Sequence, residues 1–414
     1  MSASFQIVKG GIATPKGFVA AVAECGIKDP EKPREDLAVI YSTEPTISAC
    51  AFTTNRVKAA PVRVSAEHCR RDNLRAIVAN SGNANACTGP TGIDNAKAMA
   101  RTTASCLGLR LREVGVCSTG IIGLPLPMDR ILPGIEGACA MMTANAGPAV
   151  ARAIMTSDTR PKEISATVQL AGGKVRIGAC AKGAGMINPN MATMLCFVTT
   201  DARIDKPQLT EAVQAAVEES FNRITIDGDM STNDTVMVMA NGAAGHPPIT
   251  RRSADARMFR KALAAVMLRL AKAIVADGER VTKFVELCVK GAATFNDARK
   301  AAEAVANSPL CKCSWNGGDA NWGRIMDALG YSRARMREEL VDIYFGGMAA
   351  CRGGMAAKTP LVELRKVVAK DSFTITVHLH MGDAEYTVYT SDFSPEYVDF
   401  NRSEYAAWKR AGVT

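Results

Sequence analysis

The segment from Lys182 to Cys196 constrains this chain more than any other. It reads Lys-Gly-Ala-Gly-Met-Ile-Asn-Pro-Asn-Met-Ala-Thr-Met-Leu-Cys. Gly183, Gly185, Asn188, Pro189 and Asn190 make a turn-rich loop. A β-prone run from Thr193 to Thr200 follows, so the pattern predicts a loop-to-strand junction. A hydroxyl just after a small residue at such a junction can attack the preceding carbonyl. Hydrolysis of the resulting ester divides the chain between Ala192 and Thr193. Thr193 then carries a free α-amine beside its own hydroxyl, which is a nucleophile with a built-in base. Propensity alone leaves a plainer reading open, in which Thr193 starts a strand because β-branched residues suit strands.

Around this junction, helical and strand patterns alternate. Asp205 is placed to cap a helix with Pro207 in its first turn, and Leu209, Val213, Val217 and Phe221 recur at helical spacing. Ser253 is placed to cap a second helix with Phe259, Leu263, Val266, Leu270 and Ile274 on one face, ending at Asp277-Gly278. Strands are expected over Val281–Val289, Phe373–His380 and Tyr386–Thr390. This alternation predicts a layered α/β architecture. No linker or repeat stands out, so the expected boundary is chemical, with fragments 1–192 and 193–414.

Seven motifs in order along the chain carry a resemblance. They are Gly10-Gly11-Ile12-Ala13-Thr14-Pro15-Lys16-Gly17-Phe18, Asn80-Ser81-Gly82-Asn83-Ala84-Asn85-Ala86-Cys87-Thr88-Gly89, Ser118-Thr119-Gly120-Ile121-Ile122-Gly123, Met155-Thr156-Ser157-Asp158-Thr159, Asp227-Gly228-Asp229-Met230-Ser231-Thr232-Asn233-Asp234, Asp277-Gly278-Glu279 and Asn321-Trp322-Gly323-Arg324-Ile325. Together with the Lys182–Cys196 segment they resemble the ornithine acetyltransferase (glutamate N-acetyltransferase) family of arginine biosynthesis, whose members cleave themselves before such a threonine. The resemblance implies an α/β sandwich of stacked sheets between helices, of the ornithine acetyltransferase and self-processing aminopeptidase type. It also implies transfer of acetyl from N2-acetylornithine to glutamate through an acetyl ester on Thr193, in a cytoplasmic heterotetramer of two alpha and two beta fragments. Some family members also accept acetyl-CoA, and the resemblance leaves that second donor open.

The same resemblance implies the site. Thr193 is the nucleophile, and Ala192 and Thr193 flank the cleaved bond. Thr119 and Gly120 form the oxyanion hole, in a turn where a glycine without Cβ permits close approach. Thr156, Lys182, Glu279 and Asn401 hold substrate. The chemistry suits these types: a cation and hydroxyls for an α-carboxylate, a carboxylate for an ammonium. Plainer readings stand beside each: a turn after the strand Val114–Cys117 for Thr119 and Gly120, a solvated loop lysine for Lys182, a C-terminal helix residue for Thr156. At the C-terminus the chain departs from the family. Family members carry Ser or Thr five residues after the asparagine; here Ala406 stands there, and Ser403 or Thr414 are the replacements at hand.

Composition narrows the alternatives. The net charge is +9, from 50 basic and 41 acidic residues, and aromatics make up 5% of the chain. Arg70-Arg71 and Arg251-Arg252 are not interleaved with aromatics, so nucleic-acid binding is not expected. No apolar run reaches the roughly 18 residues a membrane span needs, and no signal peptide is visible. Thirteen scattered cysteines without a Cys-x-x-Cys pair suggest buried thiols in a reducing compartment, with no metal centre. Gly183-x-Gly185 lacks the third glycine of a dinucleotide fingerprint and no phosphate loop occurs, so no cofactor is expected. Asp227-Gly228-Asp229 lacks the spacing of a calcium loop. His378 and His380, on one face of a strand, read as structural. Two rivals remain at this point: a self-cleaving aminopeptidase or amidase with water as acceptor, and a basic, non-catalytic binding protein.

Overall fold

The computed structural model describes residues 4–188 and 194–402. Pro189 to Thr193, including both residues of the expected cleavage junction, lie outside them, as do Ser403, Ala406 and Thr414. The described chain packs as two units, residues 4–184, 194–222 and 230–274 in the first and 185–188, 223–229 and 275–402 in the second. These units describe packing and are distinct from the covalent boundary expected at Ala192/Thr193.

The first unit holds β1 (Ser4–Val8), β2 (Phe18–Glu24), β3 (Glu35–Ser42), β4 (Ile47–Phe52), α1 (Ala60–Arg71), β5 (Ala76–Asn83), α2 (Gly89–Leu107), β6 (Val114–Ile121), α3 (Met128–Ala140), α4 (Gly147–Ala153), β7 (Lys162–Leu170), β8 (Gly173–Lys182), β9 (Leu195–Thr200), α5 (Lys206–Glu218), β10 (Thr235–Ala240) and most of α6 (Ala254–Ala276). Its strands form a four-stranded sheet, β2-β3-β5-β6, and a six-stranded sheet, β1-β7-β8-β9-β10-β4.

The period-2 alternation of strands explains how these stack. Leu37, Val39, Ala76, Val78, Val114 and Val116 share a core with Met99 and Ala100 of α2 and Ile131 and Ile135 of α3. Their neighbours Ala38, Ile40, Ile77, Ala79 and Cys117 face the other way, in a core with Cys180, Leu195, Phe197, Met237 and Met239 of the six-stranded sheet. Both faces of the small sheet are thus buried, and helices cover the face turned away from the larger one. This is the expected α/β sandwich.

The expected helices form for the reasons their sequences state. The Asp205 side chain accepts from the Gln208 N–H at the start of α5, with Pro207 in the first turn. Ser253 Oγ accepts from the Ala256 N–H at the start of α6. Phe221 lies beyond the end of α5 at Glu218, so the apolar periodicity outruns that helix.

The second unit holds β11 (Phe284–Ala292), α7 (Phe295–Ala306), α8 (Pro309–Asn316), α9 (Trp322–Tyr331), β12 (Asp342–Phe345), β13 (Met348–Arg352), β14 (Met355–Ala356), α10 (Leu361–Val368), β15 (Ser372–His378), β16 (Ala384–Ser391) and α11 (Pro395–Asn401). Its sheet runs β14-β13-β12-β15-β11-β16. β15 ends at His378, because His380 adopts a left-handed φ of 50°. The two imidazoles stack at 3.8 Å, and His380 Nε2 lies 3.2 Å from Asp342 Oδ2. Among the described residues no group of His, Cys, Asp and Glu could hold a metal, and no helix is long and apolar enough to cross a membrane. All thirteen cysteines are free thiols; Cys117 and Cys196 are buried as expected, whereas Cys288 is only partly so.

One feature of this unit is not visible from composition. Lys312 on α8 is fully buried, its ammonium donating to Thr390 Oγ1 and the Ser391 carbonyl, both at 2.7 Å. Burial pulls its pKa from 10.5 to about 7, against the attraction of Asp227 and Asp392. A lysine depressed in the folded state binds fewer protons there than in the unfolded chain between these two values, so stability rises with pH across that window. Lys312→Met therefore gains on the wild type as pH falls from about 9.5 toward 7.5, by up to about 1.4 kcal/mol per pH unit. Urea unfolding of both proteins at the two pH values measures this.

Candidate active site

Strand alternation builds the first half of the site. Thr119 lies two residues beyond Cys117 on β6, and Lys182 two beyond Cys180 on β8, so both extend the face on which the two sheets meet. Lys182 is 2% exposed and Thr119 4%. The Lys182 ammonium donates to Thr156 Oγ1 at 2.6 Å and to Thr119 Oγ1 at 3.2 Å. Lys182 is therefore a buried ammonium gathering two hydroxyls, not a solvated loop residue. Thr156 follows α4 by three residues and lies outside that helix.

Thr119 and Gly120 do not form a turn after a strand, as the sequence suggested. β6 runs on through both to Ile121, because it keeps pairing with β5: Ser81 opposite Thr119, Gly82 opposite Gly120. The register then breaks at Gly82/Asn83. Gly120 takes a φ of 135°, and a Cβ there would collide with the Gly82 carbonyl carbon and the Asn83 nitrogen. Glycine is required by close backbone approach, though within a strand. Gly120→Ala must push β6 off β5 and shift Thr119. We expect kcat to fall by about two orders of magnitude if this backbone stabilises an oxyanion, with the folded protein recovered. An unchanged kcat in steady-state assays removes Gly120 from the oxyanion hole.

Asp158 organises this half. It is 8% exposed, and its Oδ1 accepts from Lys162 Nζ at 2.7 Å and from the Gly183 N–H at 2.8 Å, while Oδ2 accepts from the Thr156 N–H at 3.0 Å. Burial pushes its carboxyl up, but Lys182 and Lys162 with these donors outweigh it and hold the pKa at about 2. One carboxylate thus fixes the backbone beside both Thr156 and Lys182.

The asparagine-rich motifs supply scaffolding. Ser118 Oγ donates to Asn80 Oδ1 at 2.6 Å, and Asn233 Nδ2 donates to the carbonyls of Ala84 and Ser118 at 2.7 and 2.8 Å. Next to it, Asp234 Oδ1 accepts from the Met194 N–H at 2.9 Å.

The second unit carries Glu279 and Asn401. Asn401 Nδ2 donates to Glu279 Oε2 at 3.2 Å and to the Tyr397 carbonyl at 3.0 Å. A Cβ on Gly185 would strike the Glu279 carboxyl, so this glycine makes room for it. Tyr397 Oη donates to Asp227 Oδ2 at 3.3 Å. Asp227 also accepts from the N–H groups of Met186 at 2.6 Å and Ile187 at 2.8 Å. Asp227 is thus a backbone clamp on the loop that leads toward Thr193.

Sequence reasoning named Thr119, Gly120, Thr156 and Lys182, which the first unit brings together, and Glu279 and Asn401, which the second does. It passed over Asp158, Asp227, Asp234 and Tyr397 as individual residues. The first three sat inside quoted motifs, yet each also takes a backbone amide donor 25 or about 40 residues away, which no local pattern records.

Comparison with known proteins agrees with the motif reading. A model of the ArgJ family matches residues 19–407. The arginine biosynthesis bifunctional protein ArgJ of Symbiobacterium thermophilum is 49% identical over 394 residues, covering 95% of this chain and 98% of that protein. Its counterpart in Geobacter sulfurreducens is also 49% identical, over 93% and 98% of the two chains. A solved structure of ornithine acetyltransferase complexed with ornithine, from Mycobacterium tuberculosis, is 37% identical over 45% of this chain and 98% of its own, with a TM-score of 0.41. With a family match over nearly its whole length and 49% identity to the Symbiobacterium and Geobacter proteins, the chain belongs to the ArgJ family.

Proposed function

We propose that this protein is a self-processing glutamate N-acetyltransferase that moves acetyl from N2-acetylornithine to glutamate in arginine biosynthesis. The observation that carries the reading is the buried Lys182–Thr119–Thr156 cluster held by Asp158, in a chain of the ArgJ family. An ammonium with two hydroxyls suits an amino-acid α-carboxylate or a developing oxyanion, and this site offers both.

Cleavage between Ala192 and Thr193 gives fragments 1–192 and 193–414 and frees the Thr193 α-amine. The Thr193 hydroxyl then adds to the acetyl carbonyl carbon of N2-acetylornithine while its proton passes to that α-amine. Thr119 and Gly120 face the tetrahedral oxyanion. The C–N bond breaks, the ornithine nitrogen takes the proton back from the Thr193 ammonium, and acetyl stays as an ester on Thr193. Glutamate's amine attacks that ester, gives its proton to the Thr193 amine, and the proton returns to Thr193 Oγ as the ester opens. The family resemblance assigns substrate binding to Thr156 and Lys182, whose ammonium and hydroxyl suit a carboxylate, and to Glu279 and Asn401, of which the Glu279 carboxylate suits an ammonium such as ornithine's. The bifunctional description of the relatives supports a second acetyl donor, for which we propose acetyl-CoA. A cytoplasmic heterotetramer of two fragments of each kind belongs to the same reading.

Initial velocities test the transfer. One nucleophile serving donor and acceptor in turn gives parallel double-reciprocal lines when N2-acetylornithine and glutamate are both varied. Intersecting lines would mean direct transfer between the two substrates. Acetate release that ignores glutamate would mean a hydrolase.

A further inference from the structure

Two of the thirteen thiols meet. Cys50 on β4 and Cys69 on α1 stand 19 positions apart in sequence, and their Sγ atoms lie 2.7 Å from one another. A disulfide needs about 2.05 Å, so the pair lacks only a short approach. The backbone around it is tied by other bonds. Ser48 precedes Cys50 by two residues on the same side of β4. It donates its N–H to Asn73 Oδ1 at 3.2 Å, and its Oγ accepts from the Leu74 N–H at 2.8 Å. These two partners lie just past the end of α1 at Arg71. His68 Nδ1, beside Cys69, lies 2.8 Å from the Val114 carbonyl and holds that helix on β6.

The two thiols differ as an attacking and a resolving group differ. Burial pushes the thiols of Cys25, Cys117, Cys180 and Cys196 up. Cys69 goes the other way: its hydrogen bond with Cys50 lowers its pKa, against burial, and the Lys206 charge and the Ser48 side chain lower it further. Lys206 is fixed there, its ammonium donating to the carbonyls of Cys69 at 3.2 Å and Asp72 at 3.3 Å. Burial, with Cys69 beside it, raises Cys50 well above the ordinary thiol value, so Cys50 keeps its proton. The thiolate is the reactive form of cysteine. A small reagent has access, because Cys69 keeps 8% of its surface exposed and Cys50 is only half-buried. We propose that Cys50 and Cys69 are an oxidative modification site, which closes a reversible disulfide when hydrogen peroxide reaches Cys69.

The step balances. The Cys69 thiolate attacks one oxygen of the peroxide. The O–O bond breaks, and the leaving oxygen takes a proton from solvent to become water. Cys69 is then a sulfenic acid, S–OH. The Cys50 sulfur, giving its proton to solvent, attacks the Cys69 sulfur. The S–S bond forms, the S–O bond breaks, and hydroxide leaves with a proton as a second water. The two thiols lose two electrons, which the peroxide gains. A dithiol reverses the bond by exchange.

The ring so closed contains the segment that carries the Ser231–Asp234 motif. The Thr53 N–H donates to the Asp234 carbonyl at 2.9 Å, Thr53 Oγ1 to the Ser231 carbonyl at 2.8 Å, and the Ala59 N–H to the Thr232 carbonyl at 3.0 Å. Asn233 of that motif anchors Ser118, the residue before Thr119. Closing the ring restricts the unfolded chain and so stabilises this scaffold.

The test takes the whole protein, reduced with dithiothreitol, freed of it and exposed to hydrogen peroxide. Alkylation after denaturation, followed by peptide mass mapping, is expected to show Cys50 crosslinked to Cys69 and two fewer alkylated thiols. The melting temperature is expected to rise by about 5 °C on oxidation and to return with dithiothreitol. Cys50→Ser, or Cys50→Ala should that chain fail to fold, is expected to show no such rise and to hold Cys69 as a sulfenic acid that dimedone traps. Peroxide that leaves Cys50 and Cys69 unjoined overturns the proposal, with or without a bond elsewhere. A crosslinked protein that melts where the reduced protein does overturns it as well.

Discussion

Thr193→Ala is expected to stay a single chain of 414 residues and to transfer no acetyl group. The substitution removes the hydroxyl on which both reactions depend and leaves the backbone able to form the strand at Leu195. Loss of a nucleophile acting with its own base is among the largest single-residue effects in catalysis, about 10⁴-fold or more. Thr193→Ser keeps a hydroxyl and is expected to retain part of both activities. Denaturing gels and a glutamate-dependent acetyl assay read the two outcomes, and an undivided Thr193→Ala chain with wild-type turnover would refute the nucleophile assignment.

The second large effect is expected at Asp158. Asp158→Ala leaves Lys162 and Lys182, both buried, without the carboxylate they share, and frees the amides of Thr156 and Gly183. Removing one partner from a buried charge cluster costs about 3–5 kcal/mol. Activity falls with stability, because the same carboxylate fixes the backbone at Thr156 and Lys182. Asp158→Asn keeps an acceptor for one amide and loses less. The pH dependence has a defined sign: a carboxyl held at about 2 in the fold, against 3.8 ordinarily, stabilises fully above about pH 4. That contribution, about 2 kcal/mol, is lost as pH falls toward 2. Urea unfolding at pH 7 and pH 3 shows it as a smaller difference between wild type and Asp158→Ala at the lower pH. An equal difference at both would remove Asp158 as the charged hub.

What was legible follows from the range of the interactions involved. Helices α5 and α6 were readable because their caps, Asp205 and Ser253, act within three residues. The layered α/β class was readable from the alternation of helical and strand patterns, whereas the sandwich of stacked sheets followed from the family resemblance. Thr119 and Gly120 were misread as a turn because the residues that extend the strand, Ser81 and Gly82 on β5, lie some forty positions away. His380 was misplaced in a strand because nothing local signals its left-handed φ. The aspartates escaped for the same reason as the strand extension. Asp158 meets Gly183 across 25 residues, Asp227 meets Ile187 across 40, and Asp234 meets Met194 across 40. Sequence offers the carboxylates; only the fold brings their donors.

The central claim is that one residue, Thr193, carries the acetyl group between two substrates. The most direct test is the intact mass of the two fragments after incubation with N2-acetylornithine alone. The account predicts that the fragment beginning at Thr193 gains the mass of one acetyl group, that fragment 1–192 does not, and that added glutamate removes the gain. Turnover without any such adduct on the Thr193 fragment, or an adduct on fragment 1–192, would contradict it.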